Sequence, residues 1–271
     1  MNKKSTIIDN AGPETIVIKI GGSTLGDHDT TLRDLVSLQR EGYRIVVVHG
    51  GGKVISQWME REGTLPRFIE GLRVTDQKSL EIVTAVLSGL VNKQLVAATL
   101  AIGGMAVGLS GVDGNLLQCR IVNPDLGFVG EVMRVNTDLL EQILNAGYIP
   151  MVAPVGIHSN KESDADAMLL NINGDTVTGD IARSLSASKV IFLTDVEGVK
   201  DSNGRKISFM KPRQVSMFIR SGMIKGGMIP KLEACQKALT VVPTADIIDG
   251  RVPGALLRCA QGEAMGTRIQ A

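Results

Sequence analysis

The chain has 271 residues, 44% hydrophobic and 21% charged, a balance that excludes a disordered segment and fits one large α/β domain or two closely packed lobes. Its 29 basic and 28 acidic residues leave a formal net charge of +1, and only 3% of residues are aromatic, so neither a positive field nor a stacking platform invites nucleic acid or an anionic membrane. Cys119, Cys235 and Cys259 lack paired spacing and His28, His49 and His158 lie far apart, which argues against a disulfide framework, a zinc knuckle or a two-histidine metal site. Residues 1–14 are polar, unlike a signal peptide, and no apolar run reads as long enough to span a bilayer; the expected location is the cytoplasm.

In chain order, residues 15–20 read as a buried strand breaking at Gly21-Gly22, and 29–41 as a helix capped by Asp29 or Thr30 with Gly42 just beyond it. Residues 44–48 repeat the strand and break at Gly50-Gly51-Gly52; 54–62 form the next helix. Residues 65–74 predict a hairpin turning at Glu70-Gly71, and 76–100 a long helix opened by Thr75 or Asp76. A second hairpin over 115–135 precedes a helix over 137–145, capped by Thr137 and closed by Gly147, and a strand over 149–155. A helix over 175–185, a strand over 189–193 and a hairpin over 198–208, turning at Asn203-Gly204, come next. A helix over 227–239 and a strand over 245–248 complete the pattern. The strand runs are short and apolar at consecutive positions, as strands covered on both faces are. Their alternation with helices predicts an α/β fold with a largely parallel sheet between two helical layers. No linker divides the chain, so any two lobes share one continuous sheet.

The glycine clusters match neither common nucleotide loop. Gly52-Lys53 is followed by Val54 where a Walker A loop needs Ser or Thr, Val47 stands where its first glycine belongs, and no G-x-G-x-x-G follows a strand. Two glycine turns directly after parallel strands remain. One such turn is equally well explained as a tight connection; two favour a ligand, because bare backbone amides at a helix N-terminus can approach a charged oxygen closely. Lys19, at the end of an apolar strand beside such a turn, suits a phosphate, or else snorkels at the strand edge. Asn171, Asn173 and Asp175 read, taken alone, as caps of the helix they precede. Lys231 falls in the first turn of a helix, the unfavourable end for a cation, which favours an anionic partner there. Arg73 has the fork for a carboxylate, though a surface salt bridge is the commoner fate of an arginine.

Together, Ile18-Lys19-Ile20-Gly21-Gly22, His49-Gly50-Gly51-Gly52 and Gly71-Leu72-Arg73-Val74-Thr75 resemble segments of the amino acid kinase family. So do Asn171-Ile172-Asn173-Gly174-Asp175, Thr194-Asp195-Val196-Glu197-Gly198-Val199, Gly227-Met228-Ile229-Pro230-Lys231 and Met265-Gly266-Thr267-Arg268-Ile269. The resemblance runs from about Ile16 to the last residue and is narrowest to the acetylglutamate kinases within that family. It implies a three-layer αβα sandwich on a mainly parallel sheet, with an acetylglutamate-binding and dimerisation lobe over residues 1–187 and an ATP-binding lobe over 188–271. The implied reaction is phosphorylation of the side-chain carboxylate of N-acetyl-L-glutamate by MgATP, the metal held mainly by phosphates and water. A carboxylate is already ionised at neutral pH, so no general base is required.

By the same resemblance Lys19 and Lys231 would meet the transferring phosphoryl group from opposite sides, and Asp175 would accept hydrogen bonds from both. Gly22, Gly51 and Gly52 would cradle phosphoryl and carboxylate oxygens, Arg73 would clamp the α-carboxylate and Asn171 would bond the acetylated amino acid. The nucleotide would lie against Asp195, Val196, Glu197, Gly198, Val199 and Lys200 and against Met223, Ile224 and Lys225; the hairpin over 65–74 would be a lid. Only about fifteen residues precede the first strand, against the extra amino-terminal helix of arginine-inhibited members, so the expectation is a homodimer that arginine does not inhibit. Two glycines after Lys225 would loosen the nucleotide loop. The competing readings are a kinase of carrier-protein-linked aminoadipate or glutamate and a sensor of the same fold without turnover.

Overall fold

The computed structural model describes residues 13–21, 30–159 and 168–270. The chain opens with β1 (Thr15–Ile20), α1 (Thr31–Arg40), β2 (Arg44–His49) and α2 (Gly52–Arg61). A small hairpin, β3 (Phe68–Ile69) and β4 (Leu72–Arg73), turns on Glu70 and Gly71, both at positive φ as a tight two-residue hairpin turn requires. One long helix follows, made of α3 (Gln77–Thr84), a π-helical segment (Ala85–Val91) and α4 (Asn92–Ala101). Next come β5 (Ala106–Ser110), β6 (Leu117–Ile121), β7 (Val129–Val135), α5 (Asp138–Asn145), β8 (Ile149–Ala153) and β9 (Val155–His158). They lead through β10 (Leu169–Ile172) and α6 (Gly174–Ser184) to β11 (Lys189–Thr194). The chain closes with β12 (Phe209–Met210), α7 (Pro212–Arg220), α8 (Met228–Ala238), β13 (Thr244–Asp249), α9 (Ala255–Ala260) and β14 (Thr267–Gln270).

Eight strands form one continuous sheet in the order β12-β14-β13-β11-β1-β2-β8-β5, parallel except for β14 and its neighbour β12, which run against the rest. Successive residues of a strand point to opposite faces. Ile16, Ile18 and Ile20 of β1 therefore enter one core with Leu35 and Leu38 of α1, Ile55 of α2 and Leu256 of α9, while Val17 enters another with Val177 and Ile181 of α6 and Leu232 of α8. That is the expected three-layer αβα arrangement. A small closed sheet, β10-β7-β6-β9, stands beside it on the α6 side.

Where the pattern was strong the boundaries hold, and the departures have local causes. The predicted strand over 149–155 divides at Pro154, where the chain leaves the main sheet for the small one. β5 carries a glycine in its middle, and α9 is too short to display a helical period; neither was expected, nor were β10, β12, β14 and α7. Asp76 caps α3 as expected, accepting from Ser79 N at 2.8 Å. Thr30 and Thr137 sit at cap positions without making cap bonds; Thr30 Oγ1 accepts from Gly254 N at 2.7 Å instead. Asp29 lies outside the described residues.

One described helix, the 25-residue Gln77–Ala101, has the length and mean hydropathy of a membrane span, although Lys78, Glu81, Asn92 and Lys93 interrupt its apolar run. Its Ile82, Val83, Val86, Leu87, Val91 and Leu95 are spent on the core beneath the sheet, which is the physical reason for that composition.

Candidate active site

β1 is central in the sheet, and alternation turns Lys19 toward the α6 face at the carboxyl end of the strand. Asp175 occupies the first turn of α6, where the helix dipole favours a carboxylate, and Asn173 Oδ1 caps that turn by accepting from the amides of Asp175 (2.8 Å) and Thr176 (3.2 Å). Lys231 sits in the first turn of α8, which packs along α6. Lys231 Nζ donates to Asp175 Oδ2 at 3.0 Å, and Lys19 Nζ lies 3.1 Å from Oδ1. The second contact is an ion pair without hydrogen-bond alignment, and among the described residues Oδ1 has no hydrogen-bond partner. All three side chains are largely buried, so two cations share one anion in a poorly solvated place.

The spacing of α6 and α8 rests on a glycine. A Cβ on Gly179 would stand 2.7 Å from the backbone oxygen of Ala234, which cannot swing aside as a side chain could. The helix propensity that alanine adds, about 0.5–1 kcal/mol, is smaller than the overpacking cost of about 1–3 kcal/mol. Gly179→Ala is therefore expected to lower the denaturation midpoint. It should also push Lys231 away from Asp175 and reduce turnover roughly tenfold, since misplacement by about 1 Å can cost up to 100-fold. Urea titration and initial rates on the same preparation check both effects.

Beside this cluster a pocket opens between the glycine turn after β2, the β3–β4 hairpin, Leu87 of the π-helical segment, Pro154 and residues 171–174. Gly51, Gly52, Arg73 and Asn171, far apart in sequence, all line it. Arg73 is buried rather than on the surface and pairs with no carboxylate among the described residues. Its Nη2 donates to Gly52 O (3.0 Å) and Ser56 Oγ (2.9 Å), its Nη1 to Met59 Sδ (3.1 Å), and the guanidinium lies 4.7 Å over the Phe68 ring. Burial lowers its pKa below the usual arginine value. Asn171 Nδ2 donates to Thr75 Oγ1 at 3.1 Å, which holds its amide at the pocket wall. A Cβ on Gly174 would stand 3.8 Å from Lys19 Cε, so the pocket and the lysine cluster adjoin.

Asp195, Val196, Glu197, Gly198, Val199 and Lys200 follow β11 at the sheet's carboxyl edge, and Met223, Ile224 and Lys225 lead into α8. Asp195, Val196, Glu197, Lys200 and Lys225 are exposed, whereas Val199 and Ile224 are core residues. Val199 N already donates to Thr267 Oγ1 (2.8 Å) and its carbonyl accepts from Ile207 N (2.8 Å), so Val199 serves to anchor the segment. Gly22 lies outside the described residues.

Two residues without an assigned role from the sequence stand directly behind the pocket. His49 and Asn92 are fully buried and in contact, Asn92 Nδ2 lying 3.1 Å from His49 Nε2. Burial first, and then the charges of Lys19 and Lys93, pull the His49 pKa down to about 4 against the opposing effect of its bond to the Gly50 carbonyl. The unfolded chain, with a histidine pKa of about 6.5, takes up this proton first as the pH falls. His49 thus contributes a stability loss of roughly 3 kcal/mol that accumulates from about pH 6.5 down to about 4 and is absent above it. In urea titrations His49→Asn should flatten that part of the stability–pH curve.

The model of the amino acid kinase family matches residues 14–244. An acetylglutamate kinase of Dehalococcoides mccartyi is 42% identical over 254 residues, covering 94% of this chain and 93% of that protein. One of Cereibacter sphaeroides is 44% identical over 260 residues, covering 94% and 87%. Among solved structures, N-acetylglutamate synthase from Neisseria gonorrhoeae, complexed with coenzyme A and N-acetyl-glutamate, superposes with a TM-score of 0.81 at 25% identity over 95% of this chain and 59% of that one. On this footing, with the sheet order and the glycine turns already described, the chain belongs to the amino acid kinase family.

Proposed function

We propose that the chain transfers the γ-phosphoryl group of ATP to the side-chain carboxylate of N-acetyl-L-glutamate, releasing ADP and the acyl phosphate, as a step of arginine biosynthesis. The observation that carries this reading is Asp175 between the ammonium groups of Lys19 and Lys231, at 3.1 and 3.0 Å, adjoining a pocket walled by Gly51, Gly52, Arg73 and Asn171. The names of the relatives at 42–44% identity support the choice of acceptor.

In this reading the substrate's side-chain carboxylate attacks the γ-phosphorus directly, since it carries no proton at neutral pH for a base to remove. Negative charge spreads over the transferring oxygens and the ADP leaving oxygen. Lys19 and Lys231 meet that charge, held ready by Asp175, so the protein contributes positioning and charge neutralisation. Arg73, keeping its Nη2 bonds to Gly52 O and Ser56 Oγ, meets the α-carboxylate with its charge and its remaining N–H groups, and Asn171 presents its amide to the acetylamino group. Magnesium would arrive on the ATP phosphates, with water completing its shell.

The amino-terminal lobe, 1–187, would hold the amino acid and 188–271 the nucleotide, at Asp195, Val196, Glu197, Gly198, Lys200, Met223 and Lys225, with Val199 and Ile224 anchoring these segments in the core. We place the protein in the cytoplasm, in keeping with three unbridged buried cysteines, and read it as a homodimer, supported by exposed Leu100, Ile102 and Met105 beside the edge strand β5.

Hydroxylamine trapping tests the reaction, with free glutamate, aspartate and N-acetylaspartate as competing acceptors and Lys231→Ala as the inactive control. Hydroxamate from N-acetyl-L-glutamate alone is the expected result. No product from any acceptor, with ATP still bound, would replace this reading by a carrier-linked acceptor or a sensor.

A further inference from the structure

The three carbonyls of the glycine turn after β2 are all engaged. His49 Nδ1 donates to Gly50 O at 3.0 Å, Ile55 N to Gly51 O at 2.9 Å and Arg73 Nη2 to Gly52 O at 3.0 Å. Gly50 N is also used, donating to Ile20 O at 2.9 Å. The N–H groups of Gly51 and Gly52, which line the pocket, have no partner among the described residues. A peptide unit is planar, so a held carbonyl sets the direction of the next residue's N–H. The bond to Gly50 O therefore aims the Gly51 amide, and that bond comes from His49.

His49 is itself fixed. Its Nε2 faces Asn92 Nδ2, and the Asn92 amide cannot be reversed: Nδ2 also donates to Met151 O at 2.8 Å, while Oδ1 accepts from Lys93 Nζ at 3.1 Å. Asn92 Nδ2 shares its two hydrogens among Met151 O, Nε2 and Leu109 O (3.2 Å), and Gly50 O can only accept, so the ring proton sits on Nδ1, facing Gly50 O. The neighbourhood is built to admit this side chain. A Cβ on Gly108 would collide with Asn92 Oδ1, and one on Gly51 would lie 2.6 Å from Leu87 of the π-helical segment that places Asn92.

We propose that His49 is a positioning residue: oriented by Asn92, its Nδ1–H pins the Gly50 carbonyl and thereby aims the Gly51 amide at a carboxylate oxygen of the acceptor. The acceptor rests on the function proposed above; the pinning rests on this geometry alone.

Kinetics and NMR separate the two. His49→Leu is expected to raise KM for N-acetyl-L-glutamate about tenfold, the worth of one aimed hydrogen bond, with KM for ATP unchanged. His49→Asn keeps a donor at the Nδ1 position and should return KM to within about threefold of wild type, whereas His49→Gln, which extends to the Nε2 position, should not. A lowered melting temperature with KM unchanged in Leu and Gln variants would overturn the proposal. In wild-type protein carrying 15N-histidine, assigned by the signal missing from His49→Asn, His49 is expected to be neutral with Nδ1 protonated between pH 5 and 8. The opposite tautomer, or an imidazolium, would overturn the pinning whether or not any variant folds. Wild-type protein that yields no hydroxamate would sink the functional reading, and the NMR result would still decide the pinning.

Discussion

Asp175→Asn is expected to lower kcat by about 1000-fold or more, with KM for N-acetyl-L-glutamate within about threefold of wild type. Asparagine keeps the shape of the side chain and removes its charge. Its amide nitrogen must then face either Lys19 or Lys231, a donor against a donor, and the two ammonium groups lose the anion they share at 3.1 and 3.0 Å. At least one lysine will turn away from the reacting phosphoryl group. Loss of one donor aimed at developing charge costs about 100- to 1000-fold, and here the aim of two cations depends on one carboxylate. Binding of the acceptor rests on other residues, which is why KM is spared. ADP release under saturating substrates measures the effect, with a urea titration alongside because stranding buried cations can cost about 3–5 kcal/mol. A variant that is folded and retains a tenth of wild-type kcat would show that the lysines keep their places without Asp175.

Arg73→Lys should raise KM for N-acetyl-L-glutamate roughly 50-fold while leaving KM for ATP unchanged, the equivalent of about 2.3 kcal/mol in acceptor binding. The charge is conserved by this change, and the fork is not. The guanidinium spans Gly52 O, Ser56 Oγ and Met59 Sδ at once while lying over Phe68, with N–H groups still left for the substrate; an ammonium on a flexible stem cannot reproduce that set. The same substitution frees the Gly52 carbonyl, so the hairpin and the glycine turn both lose a support. Separate KM values for the two substrates decide the matter. An unchanged acceptor KM would reduce Arg73 to a pin for the turn.

The amino-acid order by itself determined the layered α/β architecture, because short apolar runs such as 15–20, 44–48, 149–155 and 189–193 alternate with helical periods, and the first two break at glycine turns, signals that act within a few residues. It also placed Lys19, Arg73, Asn171, Asp175 and Lys231 at strand ends and helix starts, where such side chains reach a ligand. Tertiary structure decided what each of them touches. Lys231 and Asp175 are 56 residues apart and meet only because Gly179 lets α8 lie close against α6. Arg73 is exposed or buried according to how the hairpin folds over α2, and no local pattern encodes that. Val199 and Ile224 look like loop residues in sequence and become core residues once β14 and α7 close around them. His49 was legible only as the residue before three glycines. Its role depends on Asn92 and on the space that Gly108 leaves, contacts between distant segments whose energy lies in packing and buried hydrogen bonds rather than in any periodicity of the chain.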